Sequence, residues 1–347
     1  MNDRPRILVI KLGALGDFIL SYRAMTAIRA HHADAHLTLM TIASLGDLAR
    51  RTGLFDEVWI DERPSMARPL AWWRLARRLN GAGFARVYDL QTADRTRSYF
   101  RLMGPPFARQ RPEWSGHIAA GSHFHDNPRR DFIHTLERQA EQLAIAGIAA
   151  SEYPPLDLSW AWVDVARHRL LDDGAPYVLI APGGSAGHPE KRWPAARYGE
   201  LARRLVSVGY RPVVLGAGAE RDACAEVAAA APEIVNLCDN SPLLEVMSLA
   251  RDAAGAVGND TGPMHLIGVT GCPSLVLYSS ATDPALTRPR GPYEGPGARA
   301  VPPGSPARTV AILRRQELSA LTVDEVRTAM LLKKREIRPA GAAAPSA

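Results

Sequence analysis

The sequence predicts an α/β protein made of two doubly wound domains with parallel sheets. Three observations carry that prediction. Strand-like apolar runs alternate with helical segments through most of the 347 residues, the pattern of a parallel sheet covered by helices. Two runs, Arg6-Ile7-Leu8-Val9-Ile10 and Tyr177-Val178-Leu179-Ile180-Ala181, are continuous, as strands buried on both faces are. Each is followed by a glycine-containing loop and a helix, so the second half restarts the plan of the first.

In order, the first half reads as a strand over 6–10, the loop Lys11-Leu12-Gly13-Ala14-Leu15-Gly16-Asp17, and a helix from Phe18 to Arg29 with apolar residues at 19, 20, 24, 25, 27 and 28. Strand 35–41, helix 45–52, strand 57–60, helix 70–79 and strand 86–90 follow. Residues 100–130 are irregular, and a helix over 132–147 ends at a glycine. Residues 153–176 hold a short strand, a helix and the interdomain connection. The second half continues with strand 177–181, helix 195–208, strand 211–215, helix 220–230, strand 234–237, helix 243–250, strand 254–257, helix 263–270 and strand 274–278. A Pro/Gly-rich segment, 282–306, precedes a last helix begun by Thr322 and ended by Lys333-Lys334-Arg335, with charges matching the helix dipole. The expected domains are therefore 1–160 and 161–321, with a C-terminal helix over 322–338 and a disordered tail over 339–347.

Composition narrows the function classes. A hydrophobic share of 46% supports two cores. No apolar run is long enough to span a bilayer, and the N-terminus enters a strand without a signal-peptide core, so a cytoplasmic protein is expected. Cys224, Cys238 and Cys272 lack disulfide-framework or metal-ligand spacing and read as core residues. The formal charge of +6 suits a phosphate-rich partner. Nucleic acid is disfavoured, because no reader motif is present. Only residues 11, 191, 333 and 334 are lysines, against 38 arginines, which makes each lysine informative.

In open α/β sheets ligands bind outside the carboxyl ends of the strands, so the loops after 10, 181 and 257 are the candidate sites. The first ends in Asp17 at a helix head, where the dipole keeps a carboxylate ionised and able to take a proton from a hydroxyl; a simple helix cap is the alternative. The second, Pro182-Gly183-Gly184-Ser185-Ala186-Gly187-His188-Pro189-Glu190-Lys191-Arg192-Trp193-Pro194, offers glycines for close backbone approach and an ammonium suited to a diphosphate oxygen. The third, Asn259-Asp260-Thr261-Gly262-Pro263-Met264-His265, is a strand, tight turn and helix start that Thr261 or Asp260 can cap, with Gly262 leaving room for a phosphate. Gly216-Ala217-Gly218-Ala219-Glu220-Arg221 lacks the last glycine of a dinucleotide fingerprint, which argues against a nicotinamide cofactor.

These three loops, in this order and over roughly residues 6–290, resemble the heptosyltransferase group of glycosyltransferases, family 9. Asp89-Leu90-Gln91 and His134-Thr135-Leu136-Glu137-Arg138 are similar to that family's N-terminal half. The resemblance implies a GT-B fold, two Rossmann-like domains facing an interdomain cleft, and metal-independent, inverting transfer from a nucleotide sugar, typically ADP-heptose, to the lipopolysaccharide inner core. No cofactor is implied beyond that co-substrate. By matching positions, Asp17 is the general base. Gly183, Gly184, Ser185, Lys191 and the Asp260-Thr261-Gly262 turn hold the donor diphosphate and sugar, with His265 nearby. Glu220 is placed for the ribose, and Ser241 and Leu243 for the base. Ser185-Ala186-Gly187-His188 departs from the family's hydroxyl-rich pair.

The acceptor is expected on the N-terminal domain, at Lys11 and Gly13 and at Arg95, Arg97 and Arg101, with Arg109 and Arg111 beyond them. Trp72-Trp73-Arg74 with Arg77 and Arg78 reads either as a face for anionic lipid or, more simply, as a solvated helix face with its tryptophans turned inward. Membrane contact is accordingly expected to be peripheral, at the cytoplasmic face of the inner membrane. Two rivals stand beside transfer: a nucleotide-sugar epimerase or isomerase, and a noncatalytic sugar-nucleotide-binding assembly protein.

Overall fold

The computed structural model describes residues 4–65, 67–168, 174–184, 187–303 and 305–333. The chain forms two compact units, Met1–Ala161 with Ala285–Arg288 and Tyr293–Pro302, and Trp162–Pro284 with Pro289–Pro292 and Pro303–Ala347. The expected division at 160/161 left out the two returning segments. The first of them is held by side chains of residues 134 and 135: the His134 ring meets the Arg288 carbonyl at 3.0 Å, and Thr135 Oγ1 donates to the Leu286 carbonyl at 3.2 Å.

The first unit contains β1 (Arg6–Ile10), α1 (Leu15–His31), β2 (His36–Thr41), α2 (Ala43–Arg51), β3 (Glu57–Ile60), α3 (Pro69–Gly81), β4 (Phe84–Asp89), α4 (Asp94–Leu102), β5 (Glu113–Gly116), β6 (His123–Phe124) and α5 (Thr135–Ile145). Its strands are all parallel, in the order β3-β2-β1-β4-β5-β6. Leu8, Ile10, Trp59, Val87 and Trp114 form the core on one side of this sheet with Leu79 of α3 and Tyr99 of α4. The helix α1 is buried nearly all round from Phe18 to Ile28 because α5 packs on it, and Gln139 Nε2 donates to Ser21 Oγ at 2.7 Å across that contact.

The second unit contains β7 (Tyr177–Ala181), α6 (Ala195–Ser207), β8 (Arg211–Val214), α7 (Arg221–Ala228), β9 (Val235–Asn236), α8 (Leu243–Asp252), β10 (Gly255–Asn259), α9 (Gly262–Val269), β11 (Ser274–Tyr278), α10 (Pro284–Thr287, its last residues counted with the first unit), β12 (Val310–Arg314) and α11 (Val323–Ala329). Its strands are also parallel, in the order β12-β11-β10-β7-β8-β9. Numbered within their own unit, the strands of both sheets run 3-2-1-4-5-6. The topology is the dinucleotide-type doubly wound sheet, present twice. Val178, Ile180, Val257, Leu275 and Leu277 form its core with α6 and the C-terminal helix α11.

Several expectations need correction. The irregular stretch 100–130 holds the end of α4 and two short strands, β5 and the edge strand β6, whose four and two residues are too few for periodicity to register. No strand or helix of ordinary length occurs between Tyr153 and His168. Single 3-10 turns, Ser159–Ala161 and Ala166–His168, take their place, because Pro154 and Pro155 cannot join a hydrogen-bonded ladder. The strand β12 was not anticipated, since its arginine-flanked run is only partly buried at the sheet edge. The last helix stops at Ala329 rather than near Arg335: Lys333 N donates to the Ala254 carbonyl at 2.8 Å, so the chain there has already left the helix. The expected disordered tail, 339–347, lies outside the described residues.

Candidate functional site

In each sheet the order of strands reverses once, between β1 and β4 in the first and between β7 and β10 in the second. Loops leaving those strands flank a crevice in which doubly wound folds bind ligands.

In the first unit three hydrogen bonds fix the path of the loop after β1. Lys11, almost fully buried, donates from Nζ to the Leu90 carbonyl at 3.3 Å. Leu12 N donates to Gln91 Oε1 at 2.9 Å, and the Arg63 guanidinium donates to the Leu12 carbonyl at 2.8 Å. Gly13 turns the chain with φ +110°, a conformation that side chains disfavour, and a Cβ there would lie 3.1 Å from Ile42 Cδ1. The turn delivers Asp17 to the third position of α1, where its Oδ2 accepts the Ala14 N–H at 3.2 Å. That is one half of a capping box, so the carboxylate does serve as a helix cap while its other oxygen lies outside that contact. The backbone carbonyl of Asp17 accepts from Ser21 Oγ, which is held in turn by Gln139, tying the start of α1 to α5.

Asp89 ends β4 fully buried, its Oδ1 accepting the N–H groups of Gln91 at 3.1 Å and Thr92 at 2.8 Å. Burial raises its carboxyl to about 6, against the pull of those backbone bonds and of the Lys11 charge. Burial also holds the Lys11 ammonium below its ordinary value, with the Asp17 and Asp89 charges opposing and Arg138 assisting. Arg130 joins this group, donating to Thr92 Oγ1 at 3.2 Å and pairing with Asp131 at 3.1 Å. Its guanidinium is depressed first by burial and then by Arg138, with Arg97 contributing. The crevice of the first unit is thus an ionic cluster: Lys11 lies in the field of Asp17, Asp89 and Arg138, and Arg130 in that of Asp89, Asp131, Arg138 and Arg97.

The second unit is built differently. Asn259, at the end of β10 and completely buried, makes four hydrogen bonds. Its Nδ2 donates to the Pro182 and Gly183 carbonyls, both at 2.9 Å, and its Oδ1 accepts from Trp193 N at 3.0 Å and Tyr198 Oη at 2.9 Å. One neutral amide therefore fixes both ends of the loop from β7 to α6. Thr261 is the residue before α9, yet its hydroxyl makes no cap bond: Oγ1 is buried and has no hydrogen-bond partner among the described residues. The Gly183 carbonyl is held by Asn259 and the Gly184 carbonyl by Arg192. Glu220 lies against Gly183 so closely that a Cβ there would sit 1.9 Å from its Oε1, and its Oε2 accepts the Ala217 N–H at 3.0 Å.

The remaining expected residues fall as follows. Lys191 is on a 3-10 turn, Pro189–Lys191, half-buried and four residues ahead of α6 rather than at its first turn. Ser241 Oγ donates to the Leu237 carbonyl at 3.1 Å, and Leu243 opens α8. Asp260 donates its N–H to the Leu277 carbonyl, Gly262 is the first residue of α9, and His265 is buried on that helix. Ser185 lies outside the described residues. Arg95 is engaged structurally: it pairs with buried Asp61 at 3.0 Å and donates to Tyr99 Oη at 2.6 Å. Arg97 is exposed and pairs along its helix with Asp94, Arg101 is exposed on α4, and Arg111 donates to the Phe100 carbonyl. Asn259, Asp89, Gln91 and Arg138 stood in recognised motifs without an assigned role, and Arg130 stood in none. A polar residue closing an otherwise apolar strand, as Asn259 does, was the available signal for the first.

The family model for glycosyltransferase family 9 (heptosyltransferase) matches residues 72–295. The chain belongs to glycosyltransferase family 9. Among curated relatives, lipopolysaccharide heptosyltransferase 2 of Escherichia coli is 25% identical over 308 residues, 82% of this chain and 85% of that protein. Lipooligosaccharide heptosyltransferase 2 of Haemophilus influenzae is 33% identical over 119 residues, so the match spans only 33% of this chain and 34% of that relative. Among solved structures, a family 9 glycosyltransferase from Veillonella parvula aligns with a TM-score of 0.72 at 19% identity, over 95% of this chain and 97% of that one. An E. coli heptosyltransferase with ADP-2-deoxy-2-fluoro heptose aligns with a TM-score of 0.66 at 19% identity, over 93% and 98%. This family 9 chain is a glycosyltransferase with the GT-B fold of those structures.

Proposed function

We propose that this glycosyltransferase moves heptose from ADP-heptose to a lipopolysaccharide inner-core acceptor, with inversion at the anomeric carbon and without a metal. The observation that carries the reading is the second crevice. A hydroxyl that is buried without a hydrogen-bond partner among the described residues, the N-terminus of an eight-residue helix and a glycine loop fixed by Asn259, with Lys191 in that loop, support a seat for a diphosphate. The names of relatives support the same substrates: one acts on lipopolysaccharide in E. coli, and a solved neighbour holds an ADP-heptose analogue.

In this reading the acceptor hydroxyl gives its proton to Asp17 as its oxygen bonds to the anomeric carbon of heptose, and the bond from that carbon to the diphosphate breaks to release ADP. A positioned base contributes roughly 10²–10⁴-fold. The charge on the departing diphosphate is met by the α9 N-terminus, the Gly183–Gly184 backbone, Thr261 Oγ1 and Lys191. Glu220 takes the ribose, Ser241 and Leu243 flank the base, and Asp260, Gly262, His265 and Ser185 complete the donor site. The ionic cluster of the first unit, with Lys11 and Gly13 in its loop and Arg97 and Arg101 at its rim, receives the anionic acceptor. The enzyme works peripherally at the cytoplasmic face of the inner membrane; among the described residues no helix is long and apolar enough to cross a membrane.

A thermal-shift screen of ADP-, UDP-, GDP- and dTDP-sugars tests donor recognition. A bound donor stabilises the folded state by mass action, about 2.7 kcal/mol at a hundred times its Kd. ADP-heptose is expected to raise Tm above the other three classes; no shift with any ADP-sugar overturns the donor assignment.

A further inference from the structure

The helix α3 carries two stripes. Trp72, Leu75, Ala76 and Leu79 turn toward the unit, with Ala76 and Leu79 fully buried and Trp72 and Leu75 packed against the core. At the same i, i+3, i+4, i+7 spacing, Leu70, Trp73, Arg74 and Arg77 turn outward. The outward stripe is apolar as well as cationic: Leu70 is 57% exposed and Trp73 51% exposed. The Arg77 guanidinium lies 4.8 Å from the Trp73 ring, an arrangement that keeps a flat aromatic and a cation side by side at the surface. Of the two adjacent tryptophans, therefore, only the first is turned inward.

The charge around this stripe is lopsided. Residues 63–112 contain eleven arginines and only two acidic residues, Asp89 and Asp94, a net of +9 in a chain whose whole formal charge is +6. Asp89 is buried, which leaves Asp94 as the one acidic side chain of that segment at the surface. An exposed amphipathic face with leucine and tryptophan between arginines, in a region where arginines outnumber the exposed acids Glu62, Asp94 and Glu113, is complementary to an anionic lipid surface. The rings enter the headgroup boundary while the guanidinium groups meet phosphates.

We infer that the outward stripe of α3, Leu70-Trp73-Arg74-Arg77, docks the enzyme on an anionic phospholipid surface. The inference deepens the peripheral-membrane part of the proposed function and rests on that part alone, since it needs neither the donor nor the transfer step.

The test is sedimentation of the full chain with vesicles of phosphatidylethanolamine and phosphatidylglycerol, against vesicles of phosphatidylcholine. Wild-type protein is expected to partition onto the anionic vesicles at least about tenfold better, and 0.5 M salt should erase most of the difference as it screens the charges. Leu70→Ser/Trp73→Ser and Arg74→Gln/Arg77→Gln should each weaken partition about tenfold or more, while the Tm and its shift by ADP-heptose stay as in wild type. Trp73→Phe should remove the blue shift of tryptophan fluorescence that anionic vesicles induce. Equal partition of either double variant, wild-type binding indifferent to lipid charge, or an unchanged blue shift in Trp73→Phe overturns the assignment. So does a change of oligomeric state in light scattering with vesicle binding intact, which would give the stripe to a second protein chain. An absent ADP-heptose shift with intact vesicle binding would defeat the donor reading and leave this one standing.

Discussion

The two sheets share one strand order, yet the crevices at their reversal points are made of opposite materials. In the first unit the ends of β1 and β4 and the turn before α5 carry ionisable groups pressed into a dry environment: Lys11 and Arg130 are depressed by burial and Asp89 is raised by it. In the second unit the loops from β7 and β10 are held by a neutral amide and offer backbone N–H groups and a hydroxyl. The difference follows from what each is asked to meet. In the proposed reaction the diphosphate is met by dipoles, a hydroxyl and the single charge of Lys191, whereas handling a proton needs groups whose charge can change. A doubled topology therefore specifies where chemistry occurs but not which chemistry; that is set by a few residues at the strand ends.

The contrast breaks first at Asn259. Asn259→Ala removes four hydrogen bonds at once and leaves the Pro182 and Gly183 carbonyls, Trp193 N and Tyr198 Oη without their partner. Urea unfolding should show a loss of about 4 kcal/mol, with an unchanged slope. Asn259→Asp keeps the acceptor side but sets a charge against two carbonyls. It should retain the fold in part while calorimetry finds donor affinity reduced by more than tenfold.

A smaller effect is expected at Asp89. Its carboxyl is raised in the folded protein from the ordinary 3.8 to about 6, so the folded state binds the proton more tightly than the unfolded one. The stability associated with that proton is fully present below pH 3.8 and is lost as pH rises through 6. Asp89→Asn keeps an Oδ1 acceptor for Gln91 and Thr92 and does not titrate. Relative to wild type it should gain stability between pH 4 and 6, by up to about 3 kcal/mol, with a constant difference above pH 7. A difference that is flat across pH 4–6 would contradict the ionic description of the first crevice.

The smallest effect sharpens the second crevice. Thr261→Val replaces a buried, unpartnered hydroxyl by an isosteric methyl, so the Tm should stay within about a degree or rise slightly. Donor affinity should fall about tenfold, and Thr261→Ser should restore most of it. A variant that loses stability but not affinity would show that the hydroxyl serves the fold.

Much of this fold was legible because buried parallel strands are continuous apolar runs. The strands 6–10, 177–181 and 274–278 matched their expected limits, and the glycine loops after the first two marked the crevices. The short strand β5 and the edge strands β6 and β12 were not legible, since a two- to five-residue strand carries little periodic signal. Individual site residues divided in the same way. Those adjacent to a glycine turn, such as Asp17 and Thr261, could be singled out from the chain. Arg130 and Arg138 could not, because their proximity to Lys11 and Asp89 arises only when α5 packs on α1 and the loop before it reaches Thr92. The pairing of Arg95 with buried Asp61 was likewise hidden from the sequence, since the two residues lie on separate elements.

The central claim is that a carboxylate in the first unit takes the acceptor's proton while the second unit holds the nucleotide. Rapid-quench measurement of ADP release from ADP-heptose in EDTA, with and without a lipopolysaccharide inner-core acceptor, tests it most directly when wild type is compared with Asp17→Asn. Release that requires acceptor, persists in EDTA and falls 10²–10⁴-fold in Asp17→Asn, with the ADP-heptose thermal shift retained, is the predicted result. Release without acceptor, or at an undiminished rate in Asp17→Asn, would contradict it.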